Sequence, residues 1–207
     1  MNLNIIFEYA LSYSRYRKLV DQLILEGKTT GNNQSEKLTE FTKLNIQRMS
    51  RIDKTTIIDS LVQSKLENIS NSYRWLIIGD AWCGDCAQIV PLVNKVAEIS
   101  RGKIDFRIIS RDTFPDLMDQ FKTGGSKSIP KLLVINSTTN EVFATWGPRP
   151  NEAQNIMLRW KENKDNVSWD EFERNLHTWY ARDRGNSTIR ELTSLIEKCE
   201  RNTISQL

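Results

Sequence analysis

Apolar positions recur along this chain in two rhythms, and they divide it into a strand-bearing middle and helical flanks. Tyr73 to Ile78 and Pro130 to Ile135 are near-continuous apolar runs of strand length, the pattern of strands covered on both faces. Ile104, Phe106 and Ile108 alternate with Asp105 and Arg107 to give another strand. Glu141 to Trp146 gives a fourth, joined to the third through Asn136-Ser-Thr-Thr-Asn140 as a hairpin. Helical spacing fills the gaps. Residues 83–100 present Ile89, Val90, Val93, Val96 and Ala97 on one side, with Pro91 expected to kink the helix by removing a donor. Thr113 to Lys122 predicts a short helix ended by Gly124-Gly125, and Pro148, Pro150 and Asn151 open another that buries Ala153, Ile156, Met157 and Trp160. The order strand, helix, strand, helix, strand, strand, helix describes an α/β core over residues 71–163, its first two strands parallel if the first helix is a right-handed crossover.

The flanks carry helical periodicity only. Tyr9, Tyr13, Tyr16, Val20 and Leu23 form the stripe of one helix ending at Gly27. Asn33 and Glu36 form a capping pair for a second helix through Leu38, Phe41, Leu44 and Met49, which Asp53 could restart. Ile57, Ile58, Leu61, Val62 and Leu66 make a third face. After the core, Ser168-Trp-Asp-Glu171 caps a helix that turns Trp169, Phe172, Leu176 and Tyr180 inward and leaves His177 in solvent, and Thr188 to Glu191 caps a last helix with Ile189, Leu192, Leu195, Ile196 and Cys199. Three parts follow: an N-terminal helical extension (1–70), the core (71–163) and a C-terminal helical extension (164–207).

Composition narrows the function classes. A net charge of +3 over 207 residues, evenly spread, supplies no basic patch for nucleic acid. The first residues, Met1-Asn-Leu-Asn-Ile-Ile-Phe-Glu, lack a basic leader and a long apolar run, so a cytoplasmic chain without a membrane span is expected. Three cysteines, two of them in one C-x-x-C, do not make a disulfide framework, and with a single histidine they fall short of a four-ligand zinc site. Cys199, on an apolar face, reads as a buried inert thiol.

Redox chemistry is what remains, and it is concentrated in one stretch. Trp75-Leu-Ile-Ile-Gly-Asp-Ala-Trp-Cys83-Gly84-Asp85-Cys86 delivers two cysteines from a strand into the start of a helix. A cysteine there faces unpaired backbone amides and the positive end of the helix dipole, which stabilise a thiolate and make Cys83 the expected nucleophile. Cys86, one turn further in, is placed to resolve the mixed disulfide. In a reducing cytosol the pair rests as a dithiol and acts as a reductant.

Trp82-Cys-Gly-Asp-Cys86, Pro91 five residues on, Ser128-Ile-Pro130 before a strand and Gly147 after the next strand resemble the thioredoxin superfamily. Ala81-Trp-Cys-Gly-Asp-Cys86 with Gly147-Pro-Arg-Pro150 resembles, more narrowly, a bacterial thioredoxin-like branch. The resemblance covers about residues 73–160 and implies a thioredoxin-like fold, a mixed sheet of about four strands flanked by helices. It further implies a cis bond before Pro130, with Trp82, Ile129 and Pro130 shaping the substrate groove and no bound cofactor. Partners would be protein or low-molecular-weight disulfides and an electron-donating reductase or thiol. Gly84 and Asp85 occupy the modulating positions, with Asp85 expected to be solvated at the first helical turn. One departure stands out: Ile77 occupies the strand position where similar thioredoxins bury an aspartate. Strand alternation would put Asp80 on the opposite face, leaving Asp85 or water to accept the Cys86 proton. The reading from another class is a partner-binding scaffold on the same fold, with the helical flanks as its surface.

Overall fold

The computed structural model describes residues 2–204. Its centre is a four-stranded sheet in the order β2-β1-β3-β4, formed by β1 (Tyr73–Ile78), β2 (Ile104–Ile109), β3 (Lys131–Asn136) and β4 (Val142–Trp146). β1 runs parallel to β2 and antiparallel to β3, and β3 and β4 form the antiparallel hairpin. β1 and β3 are the most deeply covered, which is what their unbroken apolar composition requires. α5 (Gly84–Ile99) makes the crossover between the parallel strands, with Pro91 inside it. α6 (Pro115–Gln120) precedes β3, and α7 (Asn151–Glu162) follows β4.

The flanks are helical, as their periodicity implies, but their boundaries and buried faces differ from the reading above. The first stripe is split into α1 (Leu3–Tyr9) and α2 (Tyr13–Leu25). Ser12 caps α2 by accepting from the Arg15 amide, and the extended residue before it lets Leu11 exchange two 2.8 Å hydrogen bonds with Ile108. That bridge covers the free edge of β2, and Tyr9 is left exposed. α3 (Glu36–Thr55) is continuous through Asp53, which instead accepts from Tyr13 and Arg17 on α2. It starts at Ser35 rather than at an Asn33–Glu36 box. Its buried face is Thr39, Thr42, Asn45, Met49 and Ile52, so Leu44 lies outside it. In α4 (Ser60–Glu67) only Leu66 is fully buried, whereas Ile57 and Leu61 are exposed.

α8 (Trp169–Asp183) opens on Ser168, whose side chain accepts from the Glu171 amide as expected, and it buries Phe172, Leu176 and Tyr180. α9 begins two residues before Thr188, at Asn186, and runs to Ile204. The expected Thr188–Glu191 box is absent because Glu191 is committed elsewhere, accepting from the Trp146 indole and the Asn151 amide. Near the end of α9, Glu200 takes hydrogen bonds from the Ser70 and Asn71 amides and the Tyr73 hydroxyl, tying the helix to the entry of β1. Residues from both flanks and the middle join in a single apolar cluster. Among the described residues no helix is long and apolar enough to cross a membrane.

One close approach brings the exit of β4 against the segment that enters β3. Gly147, at the exit of β4, has φ +105°, and a Cβ there would lie 2.5 Å from the Pro130 carbonyl oxygen. Gly147→Ala must therefore strain its own backbone and displace the segment before β3. We expect a loss of at least about 2 kcal/mol in urea unfolding, since backbone strain and steric overlap act together.

Candidate active site

β1 ends at Ile78, and four loop residues carry the chain to Cys83, the N-cap of α5. Among them Asp80 Oδ2 accepts from the Arg111 amide at 3.4 Å. The N-terminal segment adds two more ties: the Ala81 amide donates to Thr30 Oγ1 at 2.8 Å, and the Ala81 carbonyl accepts from Asn45 Nδ2 at 2.7 Å. Both partners are buried, so each bond is made away from competing water.

Cys83 has the extended backbone of an N-cap, and its sulfur accepts from the Cys86 amide at 3.5 Å while donating to the Ile129 carbonyl at the same distance. It is half-buried, whereas Cys86 is 1 % exposed. Burial, then the neighbouring Cys83 sulfur, pushes the Cys86 thiol well above its usual range. Ile129–Pro130 is a cis peptide. Trp82 is half-buried at the rim, with the Arg111 guanidinium 5.0 Å from its ring centre. Cys199 is 2 % exposed on α9, and burial raises its thiol to about 11.

Two acids behave differently from their sequence-based expectations. Asp85 is not solvated: it is 7 % exposed, bound through Oδ2 to Arg149 at 2.5 Å and through Oδ1 to Arg149 Nε at 3.0 Å and the Tyr180 hydroxyl at 2.8 Å. Burial pushes its carboxyl up, and Arg149 and Tyr180 pull it back. Asp80, which strand alternation placed on the far face, is fully buried and bears on Cys86. The alternation fails because β1 has already ended two residues earlier. Its carboxyl is raised, chiefly by burial, against the pull of Ser110 and Thr30.

The helical flanks roof the site. A Cβ on Gly84 would lie 2.9 Å from His177 Nε2 and 3.4 Å from Arg48 Nη1, so a larger residue beneath α8 and α3 would have to move the His177 ring. His177 is thus drawn in rather than solvated, with Nδ1 3.4 Å from Gln88 Nε2. Arg48 donates to Asn45 Oδ1 at 2.9 Å. Together the roof and the core enclose a cleft of about 440 Å³ over Cys83, with Phe41, Trp169 and Phe172 among its walls.

The sequence reading placed Cys83, Cys86, Trp82, Ile129, Pro130, Gly84 and Asp85 in one region, and the fold brings them together. It missed Thr30, Asn45, Arg48, His177 and the function of Arg149 and the Tyr180 hydroxyl. The available signal was an acid next to Cys86 at the head of a helix rich in buried apolar residues, which calls for a distant cation.

Comparison with known proteins agrees with this fold. A family model described as Thioredoxin matches residues 31–166, and the chain belongs to that family. Chloroplastic thioredoxin M2 of Arabidopsis thaliana is 40% identical over 54 residues, which span 26% of this chain and 27% of that protein. Thioredoxin 1 of Nostoc sp. is 34% identical over 54 residues, 26% of this chain and 48% of that protein. The chain therefore covers less than half the length of these relatives. A crystal structure of a protein of unknown function from Pseudomonas aeruginosa superposes with a TM-score of 0.58 at 18% identity, covering 91% of this chain and 99% of that one. An HIV epitope scaffold gives a TM-score of 0.53 at the same identity and coverage. These two show the fold, and the thioredoxin matches support a redox role of thioredoxin type.

Burial, then Arg48, Arg149 and Arg51, depresses His177 to about 4 from an ordinary 6.5. Its folded value lies below its unfolded one, so the native state keeps it neutral, and stability is lost as pH falls from about 6.5 toward 4. As the chain's single histidine it gives one unambiguous imidazole signal by NMR. We expect that signal not to titrate between pH 8 and 5.5. His177→Gln should remove up to about 2 kcal/mol of the stability difference between pH 7 and pH 5.

Proposed function

We propose that this chain is a cytoplasmic thiol-disulfide oxidoreductase that reduces disulfides through the Cys83/Cys86 dithiol. The observation that carries the reading is the pairing of a half-buried sulfur at a helix N-cap, open to a cleft, with a fully buried sulfur one turn behind it. Cys83 as thiolate attacks one sulfur of the substrate, the substrate S–S bond breaks, and the first thiolate leaves. Cys86 then loses its proton and attacks the Cys83 sulfur, releasing the second substrate thiol and leaving a Cys83–Cys86 disulfide. A reductase or a low-molecular-weight thiol restores the dithiol. Trp82, Ile129 and Pro130 bound the substrate groove, and no resident cofactor is needed.

The decisive experiment combines labelling and trapping. Brief alkylation of the reduced protein near pH 7 should modify Cys83 at least about tenfold faster than Cys86 or Cys199, both held as neutral thiols. Cys86→Ser should accumulate mixed disulfides, and Cys83→Ser should not. Failure of the wild type to form a reversible Cys83–Cys86 disulfide would favour the partner-binding scaffold.

The resolving step also needs a proton acceptor for Cys86. We assign this to Asp80, a fully buried carboxyl in the loop before Cys83 whose burial raises its affinity for a proton and whose charge opposes ionisation of Cys86, whereas Asp85 is committed to Arg149 and Tyr180. Asp80→Asn keeps the shape and removes the base. In rapid-mixing measurements mixed-disulfide decay should slow by about tenfold or more while its formation is little altered. Unchanged decay would leave solvent as the acceptor.

A further inference from the structure

The cleft over Cys83 carries more information than the dithiol chemistry requires. Half of its lining comes from α3 and α8, outside the sheet-bearing middle, and its size falls within the range of small-molecule sites. Phe41, Trp169 and Phe172 supply an apolar lining, with the Trp169 and Phe172 rings 5.1 Å apart. The cationic side chains at its edge divide into two groups. Arg149 is spent on Asp85, Arg111 pairs with Asp112 at 3.2 Å, and Lys127 pairs with Asp119 at 2.9 Å. Lys37 and Arg48, both on α3, have no ion pair within 4 Å among the described residues.

Arg48 is the more telling of the two. It is half-buried, its only hydrogen bond among the described residues is to neutral Asn45, and Nη1 lies over Gly84, the residue between Cys83 and Asp85. Glu173 on α8 is the acid whose charge bears most on Arg48, yet it forms no ion pair with it within 4 Å, is hydrogen-bonded to Trp169, and has its carboxyl raised by burial. His177, depressed to about 4, brings no charge at neutral pH. A half-buried guanidinium without an ion pair, lining an aromatic-walled cleft beside a reactive sulfur, is a receptor for an anion.

Resting on the dithiol reading above, we propose that the substrate is a low-molecular-weight disulfide whose arms carry carboxylates, seated with an acid group on Arg48 and Lys37 and its S–S bond over Cys83. The exchange balances without a further reactant. Cys83 joins one substrate sulfur, the other leaves as a thiolate that takes a proton from water, and Cys86 displaces the second. Two electrons pass from the dithiol to the substrate, yielding two acidic thiols and the Cys83–Cys86 disulfide.

A series of small disulfides of similar size and opposite charge tests this. Oxidation of the reduced full-length chain by 3,3′-dithiodipropionate, 2-hydroxyethyl disulfide, cystamine and insulin is followed by rapid mixing, each rate divided by that of dithiothreitol with the same disulfide to remove intrinsic reactivity. The normalised rate with dithiodipropionate should exceed that with cystamine by about tenfold or more at low ionic strength and fall steeply with added salt. Arg48→Gln should collapse most of the preference. Lys37→Gln, at an exposed position where folding is not at stake, should lower it by about two- to threefold. A normalised rate independent of charge, a preference for cystamine, or insulin as the fastest partner would overturn the substrate class while leaving the dithiol reading intact. No oxidation by any of the four would remove the dithiol reading and this one with it.

Discussion

A carboxylate buried in the first turn of a helix is a demand on the rest of a fold, and Asp85 makes that demand here. Leaving it ionised and alone would cost several kcal/mol, so the chain must deliver a cation and a donor to a point beside the cysteines. Arg149 comes from the loop after β4 and Tyr180 from α8, and both reach Asp85 only if the hairpin, the following helices and α5 are correctly placed. The start of α5 is thereby pinned from two directions. The same pairing consumes Arg149, which is why the free charge over the cleft belongs to α3.

The middle of the chain was almost fully legible. β1 and β2 fall on the residues their patterns indicate, and the other two strands and α5 begin within a residue of expectation, because each is an apolar run that only a buried strand or helix face satisfies. The flanks were legible as helices and misleading as faces. On α3 the apolar spacing picked out Leu38, Phe41, Leu44 and Met49, but that helix turns Thr39, Thr42 and Asn45 inward beside Met49 and lines the cleft with Leu38 and Phe41. Periodicity finds a stripe; it does not say whether a core or a cavity lies opposite. The two misjudged acids share another cause. Asp80 was judged by a strand that had already ended, and Asp85 by the composition of its own turn, whereas its partners lie 64 and 95 residues away. Side-chain pairing over such separations leaves no periodic trace.

Both helical flanks turn out to be instruments of the site. Thr30 and Asn45 hold the loop before the nucleophile, Arg48 and His177 sit above Gly84, and Trp169 and Phe172 line the wall opposite. A sulfur at a helix N-cap is a general-purpose reagent, and what reaches it is decided by the walls. Here the walls make the approach narrow, aromatic and positive, three properties contributed by residues remote from the Cys-x-x-Cys in sequence.

Ala81 shows what this arrangement means for the protein as a modular object. Its amide and its carbonyl are both satisfied by side chains from the first 45 residues, and Tyr16 of α2 is buried close to the same dithiol. A core excised before Tyr73 would keep its sheet and both cysteines, yet its catalytic loop would lose both buried anchors and the wall of its cleft. Amide exchange at Ala81 would then report the opening of α3 rather than of the sheet, making the folding of the N-terminal segment and the reactivity of the thiols a single cooperative event.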